Sequence, residues 1–341
     1  MKQGYRWLWL GIGLVLLFLV FSPSLSPQAS RVLQQGWQLG HILLFAVWGY
    51  LLLPSLQRRK PNPLISGLVF LASCVLIGFV IELVQAQIGR EFSFRDILLD
   101  IIGTLLALSM YTCNGLCHLR LRPKRILYGL TFILCTYALL PVTFVVLDEF
   151  NMRKSFPRLA DFNSSLELDR WRGEVDIVRL LSSRGDEKVL RVQLETDHFS
   201  GVALAYFHTD WRNYQQLRFE LFNPDKTVLM LTIRIHDKKH YGSGNSAYHD
   251  RFNRQLHIEL GWNSISIDLH HRGEAPASRA IDLARIQEIG LFSIDQAPRV
   301  SSKPHTGIKS GPISRKKPLS SPKMAIVALH LAAYQVNPLR L

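Results

Sequence analysis

Residues Ile81–Gly103 read IELVQAQIGREFSFRDILLDIIG. The stretch joins two long apolar segments and puts ionisable groups where a bilayer ordinarily excludes them. Glu82 and Gln85 close one apolar run, Arg90, Ser93 and Arg95 occupy the connection, and Asp96 and Asp100 open the next run. On a helix, Glu82 and Gln85 are three apart and share a face. Asp96, Asp100, Gly103 and Ala107 follow at i, i+4, i+7 and i+11 and share another. Carboxylates from two helix ends are therefore aimed at one small volume beneath an arginine-bearing loop. Ionisable groups in membrane helices are costly and face a bundle interior or wet cavity, which makes them functional candidates. The competing reading is that they are hydrated helix ends that fix register.

Outward from this stretch, apolar runs cover Trp7–Phe21, Leu39–Leu56, Leu64–Ile81, Ile97–Cys117 and Ile126–Leu147. Each is close to the ~20 residues that span a bilayer, the first being short. The exit of the first run, Ser22–Ser30 (SPSLSPQAS), has no clean small-x-small cleavage site, so this run is read as a retained helix and not a signal peptide. The expected architecture is an α-helical membrane bundle of about five transmembrane helices over 1–147, a linker at 148–155, and an all-β, jelly-roll-like sandwich over 156–297. A basic Ser/Pro-rich tail, 298–341, reads as disordered, with Met324–Tyr334 as a short apolar end suited to a weak interfacial helix.

Basic residues give the orientation. Lys2 and Arg6 precede the first run, Arg58, Arg59 and Lys60 follow the second, and Arg120, Arg122, Lys124 and Arg125 follow the fourth. The positive-inside rule makes all three clusters cytoplasmic. Five spans then place the 85–95 loop and the whole soluble half outside the cytoplasm, in a multi-pass protein of the bacterial cytoplasmic membrane. His41 opens the second span at the same outer depth as the carboxylates. It is either a hydrated packing residue or a partner that exchanges protons with them near neutral pH.

The net charge of +14 reflects these loops and a tail that has eight Lys and Arg and no Asp or Glu after Pro298. No nucleic-acid motif accompanies it, so membrane lipids are the expected partner and nucleic acid is not. The four cysteines (Cys74, Cys113, Cys117, Cys135) all fall in or beside apolar runs, which leaves the soluble half without disulfides. No strong metal-ligand spacing occurs, and no cofactor is implied.

The soluble half alternates polar and apolar residues. Strands are expected at Glu174–Leu181, Lys188–Thr196, Val202–His208, Gln216–Phe222, Val228–His236 and Glu288–Ile294, with a hairpin of Arg254–Leu260 and Asn263–Leu269 around Gly261-Trp262. Ligand contacts are expected in the loops. His236, Asp237, His240, Tyr241, Tyr248, His249, Asp250 and Arg251 crowd one connection, and Trp211 and Tyr214 another. Aromatic faces stack on sugar rings, and Asp, His and Arg bond hydroxyls. The same residues equally suit a polar loop tied to its own backbone or, less well, a metal.

Two resemblances follow from these residues. His41 opening a span, Glu82-x-x-Gln85, Arg90-x-x-Ser93-x-x-Asp96 and the following Gly103 resemble the VanZ-like family of membrane proteins over about 36–108. The family pattern often has Asp-Lys where this chain has Trp37-Gln38, and asparagine where it has Asp100. The resemblance implies a role at the bacterial envelope, the founding member being associated with teicoplanin resistance, without a settled reaction. The run from Asp237-Lys to Leu291-Phe292, with Gly261-Trp262-Asn263 within it, is similar to the galactose-binding-like carbohydrate-binding modules over about 156–294. That resemblance speaks mainly for fold.

Three functions are compatible with this reading. The first is an accessory protein that binds a cell-envelope glycan or lipid-linked saccharide, with Gln85, Arg90 and Ser93 joining the loop residues as ligand contacts and a link to glycopeptide-antibiotic tolerance. The second is an intramembrane enzyme in which Glu82, Asp96 or Asp100 serves as general base and His41 as acid or proton shuttle. The third is a structural assembly factor whose acidic cluster locks helices together.

Overall fold

The computed structural model describes residues 3–21, 29–59, 62–88, 90–113, 121–182, 185–194, 199–242, 250–269, 276, 279–294 and 323–332. The chain divides into two compact units, Met1–Val146 and Leu147–Leu341.

The first unit is helical: α1 (Gln3–Val20), α2 (Arg31–Gln38), α3 (Gly40–Arg59), α4 (Pro63–Gln87), α5 (Phe94–Cys113) and the start of α6 (Leu121–Ser155). Local chemistry sets the starts. The Ser30 hydroxyl accepts from Leu33 N at the head of α2, and the Asn62 side-chain Oδ1 accepts from Leu64 N and Ile65 N where Pro63 opens α4. Four helical segments, Arg31–Leu56, Leu64–Gln87, Phe94–Cys113 and Leu121–Ser155, are long and apolar enough to cross a membrane; α1 contributes a shorter apolar stretch, Trp9–Phe18. Large apolar side chains such as Leu68, Leu76, Phe132 and Ile133 point outward. Such a surface suits lipid.

Helix α5 packs against α3 and α4, and α3 packs against α1. Small residues set the closeness. A Cβ on Gly103 would collide with the Ile42 carbonyl and Phe45, and one on Gly49 would lie 2.6 Å from Ala107 Cβ. Small residues at such crossings let membrane helices approach closely. The result draws the N-terminal end of α3 onto α5. Helix α6 is joined to α5 by the Ser109–Thr131 hydroxyl bond of 2.9 Å. It runs on through 148–155, the segment read from sequence as a linker, as continuous helix.

The second unit is a sandwich of two antiparallel sheets. One has the order β3-β4-β11-β6-β9, with β1 (Arg158–Ala160) on β11; the other has the order β2-β5-β10-β7-β8. Their ranges are β2 Trp171–Arg172, β3 Val175–Ser182, β4 Gly185–Gln193, β5 Phe199–Leu204, β6 Gln216–Asn223, β7 Leu229–Asp237, β8 Phe252–Ile258, β9 Gly261–Asp268, β10 Ile286–Ile294 and β11 Lys323–Ala332, with a short helix α7 (Lys238–Gly242) after β7. Alternation along β6 turns Leu217, Phe219 and Leu221 inward, to face Leu231, Ile233 and Ile235 of β7 and Ile289 and Leu291 of β10 across the core.

Two expectations fail here. β8 and β9 do not form a hairpin: β8 pairs β7 in one sheet and β9 pairs β6 in the other. Gly261, at φ +85°, turns the chain between the sheets. The Asn263 side chain ties that corner by accepting from Glu259 N (3.0 Å) and donating to Glu259 O (2.8 Å). The apolar end at Met324–Tyr334 is likewise no interfacial helix. Residues 323–332 form β11, which fills the space between β4 and β6 and carries the sandwich beyond the expected end at 297. The rest of the tail lies outside the described residues.

Candidate functional site

In the helical unit the predicted residues converge. His41 stands in the first turn of α3, Glu82 and Gln85 in the last turns of α4, and Asp96 and Asp100 in the first turns of α5. His41, Glu82, Gln85, Asp96 and Asp100 are all buried. His41 Nδ1 is 2.9 Å from Asp100 Oδ1, and its Nε2 is 3.7 Å from Asp96 Oδ2. Glu82 Oε2 accepts from Ser93 N at 2.9 Å, and the Ser93 hydroxyl accepts from Asp96 N at 3.2 Å, so Ser93 couples the end of α4 to the start of α5. The Gln85 carbonyl accepts from Arg90 N at 3.1 Å. Arg90 lines a cavity of about 180 Å³ together with His41, Trp37, Gly36 and Gly40.

Gly78, on α4, was not singled out by sequence pattern. A Cβ there would strike Asp100 Oδ2, so the glycine leaves room for the carboxylate. The Thr104 hydroxyl donates to the Asp100 carbonyl at 2.8 Å, one turn further along α5.

The sandwich loops are arranged differently. Trp211 is 0 % exposed, packs beside Phe207 and donates from Nε1 to His208 O at 2.8 Å. It therefore offers no ring face to a sugar, and Tyr214 makes a T-shaped contact with Phe156. His236, Asp237 and His240 are buried as well.

Arg279, absent from the sequence reading, explains the loop. Its guanidinium forks onto Asp237 (Nη1–Oδ2 2.5 Å, Nη2–Oδ1 2.8 Å) and its Nε reaches Asp250 Oδ1 at 2.7 Å. Asp237 also accepts from Lys239 N, His240 N and Asp282 N. Burial alone would raise the Asp237 carboxyl, but Arg279 and these amides hold it below the usual range; Arg279 does the same for Asp250. Burial, then the neighbouring Arg234 charge, presses His236 down to about 3, so it is neutral at pH 7. Asp237 is thus saturated by Arg279, by the Asp282 amide and by two amides of its own loop. Arg251 is half-buried, only the backbone of Tyr241 is described, and Tyr248 and His249 lie outside the described residues.

A polar face appears instead on the five-stranded sheet. Glu288 accepts from Arg172 at 3.1 Å and from Arg234, whose guanidinium carbon is 5.7 Å from the Phe292 ring centroid. Register sets Gly290 beside Arg234 and Ala203, and Phe292 beside Thr232 and Gly201. Small residues therefore floor a face walled by Arg234, Phe292 and Met230. Asn253, Gln255 and His257 of β8 stand in register with Arg234, Thr232 and Met230. Alternating strand positions produce this face, yet its members are far apart in sequence.

Two comparisons find similar proteins. Residues 9–117 match the family model described as VanZ/LLP1, so the portion carrying His41, Glu82, Asp96 and Asp100 is a VanZ-like domain. Among solved structures, the family 11 carbohydrate-binding module from Clostridium thermocellum, in complex with a β-1,3-1,4-mixed-linked tetrasaccharide, is 16 % identical, with 52 % of this chain and 94 % of that chain covered and a TM-score of 0.33. An exo-β-agarase is 13 % identical over 52 % of this chain and 25 % of its own, at a TM-score of 0.37. TmCBM61, in complex with β-1,4-galactotriose, is 12 % identical over 49 % and 91 %, at 0.27. The two-sheet architecture rests on the strand pairing above and not on these likenesses. No curated protein matches the chain.

Proposed function

We propose that the protein is an accessory protein of the bacterial cytoplasmic membrane, with its sandwich outside the cytoplasm, that binds an envelope glycan or lipid-linked saccharide. The observation that carries this is the outer face of β10 and β7. There an aromatic ring, a guanidinium held by the buried Glu288, and the side-chain amides of Asn253 and Gln255 share one surface floored by Gly201, Ala203 and Gly290. Rings stack on sugar faces, and charged and amide groups bond hydroxyls. The cavity beside His41 and Arg90 suits the phosphate of a lipid-linked saccharide, since a guanidinium matches phosphate oxygens. The basic clusters at 58–60 and 120–125 support the orientation.

The test is a glycan and lipid-linked saccharide binding screen on the full-length protein in detergent micelles. Saturable binding weakened by Phe292→Ala or Arg234→Ala is expected. Absence of binding by the folded wild type, across envelope glycans and lipid-linked precursors, overturns the reading.

One observation favours a second reading, an intramembrane acid–base enzyme: the 2.9 Å His41–Asp100 bond pairs an imidazole with an orienting carboxylate beside Asp96 and Glu82. Turnover of an envelope lipid that disappears in Asp96→Asn supports it, and unchanged turnover in that variant removes it.

A further inference from the structure

Three ligand-type atoms from three helices meet in the VanZ-like domain. One ring nitrogen of His41 and one carboxylate oxygen each of Glu82 and Asp96 all lie within 4.8 Å of one another. Glu82 is 0 % exposed and Asp96 6 %, yet among the described residues Glu82 Oε1 and Asp96 Oδ1 have no hydrogen-bond partner. A buried carboxylate oxygen left unsatisfied in apolar surroundings is expensive.

The histidine adds an independent constraint. Its Nδ1 sits 2.9 Å from Asp100 Oδ1, and an ionised Asp100 can only accept, so the ring donates there. In the neutral imidazole the lone pair then falls on Nε2, the nitrogen that faces Asp96 Oδ2 at 3.7 Å. That separation is too long for a hydrogen bond. Lone pairs from His41, Glu82 and Asp96 thus converge on one small volume. A carboxylate on the far nitrogen of a histidine is also the arrangement that fixes the tautomer of a metal-ligating imidazole.

We propose that His41 Nε2, Glu82 and Asp96 bind one divalent cation of the Zn²⁺/Mn²⁺ class, with Asp100 as the positioning residue for His41. One imidazole and two carboxylates form a donor set that suits these ions, and two carboxylates balance the charge. Metal–ligand bonds of about 2.0–2.2 Å require the donors to lie no more than roughly 4.4 Å apart, so closure needs a movement of a few tenths of an ångström. Three protein donors leave at least one position open to an exogenous ligand. The sequence has no metal signature because the ligands come from three helices with no fixed spacing. Glu82 is held ready by Ser93 N on its other oxygen.

The experiment uses the full-length protein with a streptavidin-binding tag in place of a polyhistidine tag, stripped with EDTA in detergent and titrated with Mn²⁺ and with Zn²⁺. Wild type is expected to retain one ion per chain through gel filtration. Glu82→Gln and Asp96→Asn should lose that stoichiometric ion, and Asp100→Asn should bind about ten- to a hundredfold more weakly while keeping all three ligands. Absence of stoichiometric binding by monodisperse, helical wild type overturns the proposal, as does equal binding by every variant, which would mark an adventitious surface ion. Should the variants fail to fold, pulsed electron paramagnetic resonance of Mn²⁺ on wild type decides: coupling to one histidine nitrogen is expected, and no nitrogen coupling overturns it. Glycan binding by the sandwich face is untouched by this titration, so the two readings fail separately.

Discussion

His41 Nδ1 lies 2.9 Å from Asp100 Oδ1 across 59 residues of chain, and both side chains are buried. The pair exists because Gly103 lets α5 close on Ile42 and because Gly78 leaves a hole for the second Asp100 oxygen. Charge chemistry and helix packing are one feature here.

Gly78→Ala should therefore act on Asp100 directly. The added methyl occupies the place of Oδ2, and the overpacking is expected to cost about 1–3 kcal/mol. Gly67→Ala, on the same helix with its nearest neighbour 3.8 Å away, should be neutral or slightly stabilising. Thermal unfolding of the two variants in one detergent measures the difference. Equal melting temperatures would remove the steric account.

Removing either partner of the buried pair should leave the other unsatisfied, at a cost of about 1–3 kcal/mol. The double variant His41→Leu with Asp100→Leu should then be less destabilised than the sum of the singles. A thermal-unfolding double-mutant cycle reads the coupling, and simple additivity would show that the 2.9 Å approach carries no energy.

The membrane site was legible because charges interrupt apolar runs, and helical spacing alone puts Asp96 and Asp100 on one face. The Gly78–Asp100 relationship was not, since nothing in a sequence says which residue on α4 opposes position 100. In the sandwich, Trp211 and Asp237 carry the residue types of a sugar-binding loop, and residue type does not reveal burial. Arg279 sits in a Ser/Ala/Pro stretch with no periodicity to mark it. β11 is apolar in too short a run to separate strand from helix, and the open edges of β4 and β6 decide the matter.

Arg279→Ala should strand Asp237, which is 0 % exposed, and destabilise the sandwich by about 2–3 kcal/mol, at the low end for a buried pair because Arg279 is partly exposed. Asp237 and Asp250 both have folded-state values below the ordinary carboxylate. Their contribution is present above about 3.9, the unfolded value, and is lost as pH falls through the folded values. The gap between wild type and variant should be widest at neutral pH and close in acid below about 3.9. Unfolding curves at pH 7, 5 and 3 check the sign.

His236 should give a different acid limb. Its folded value of about 3 lies below the unfolded value of about 6.5, so between these limits the unfolded chain binds the extra proton. Stability linked to His236 is complete above pH 6.5 and is lost on acidification at up to about 1.4 kcal/mol per pH unit. His236→Asn should flatten that slope relative to wild type and leave the profile above pH 7 parallel. A slope unchanged by the substitution would mean that the ring is already protonated in the folded protein.

β11 should be a structural member of the sandwich although it follows β10 by a long segment. Ile326 pairs with Leu190 of β4 on one side and Leu221 of β6 on the other. Proline there removes a donor from a central strand, where it is scarcely tolerated. Without that strand β4 and β6 lose their shared neighbour and the six-stranded sheet opens between them. Ile326→Pro in the full chain should lower the melting temperature of the sandwich by roughly 5 °C or more, the shift that about 2 kcal/mol produces in a unit of this size. Limited proteolysis should then cleave within β4 or β6, at sites that wild type protects. A wild-type melting temperature and cleavage pattern in the variant would instead make 323–332 a dispensable extension.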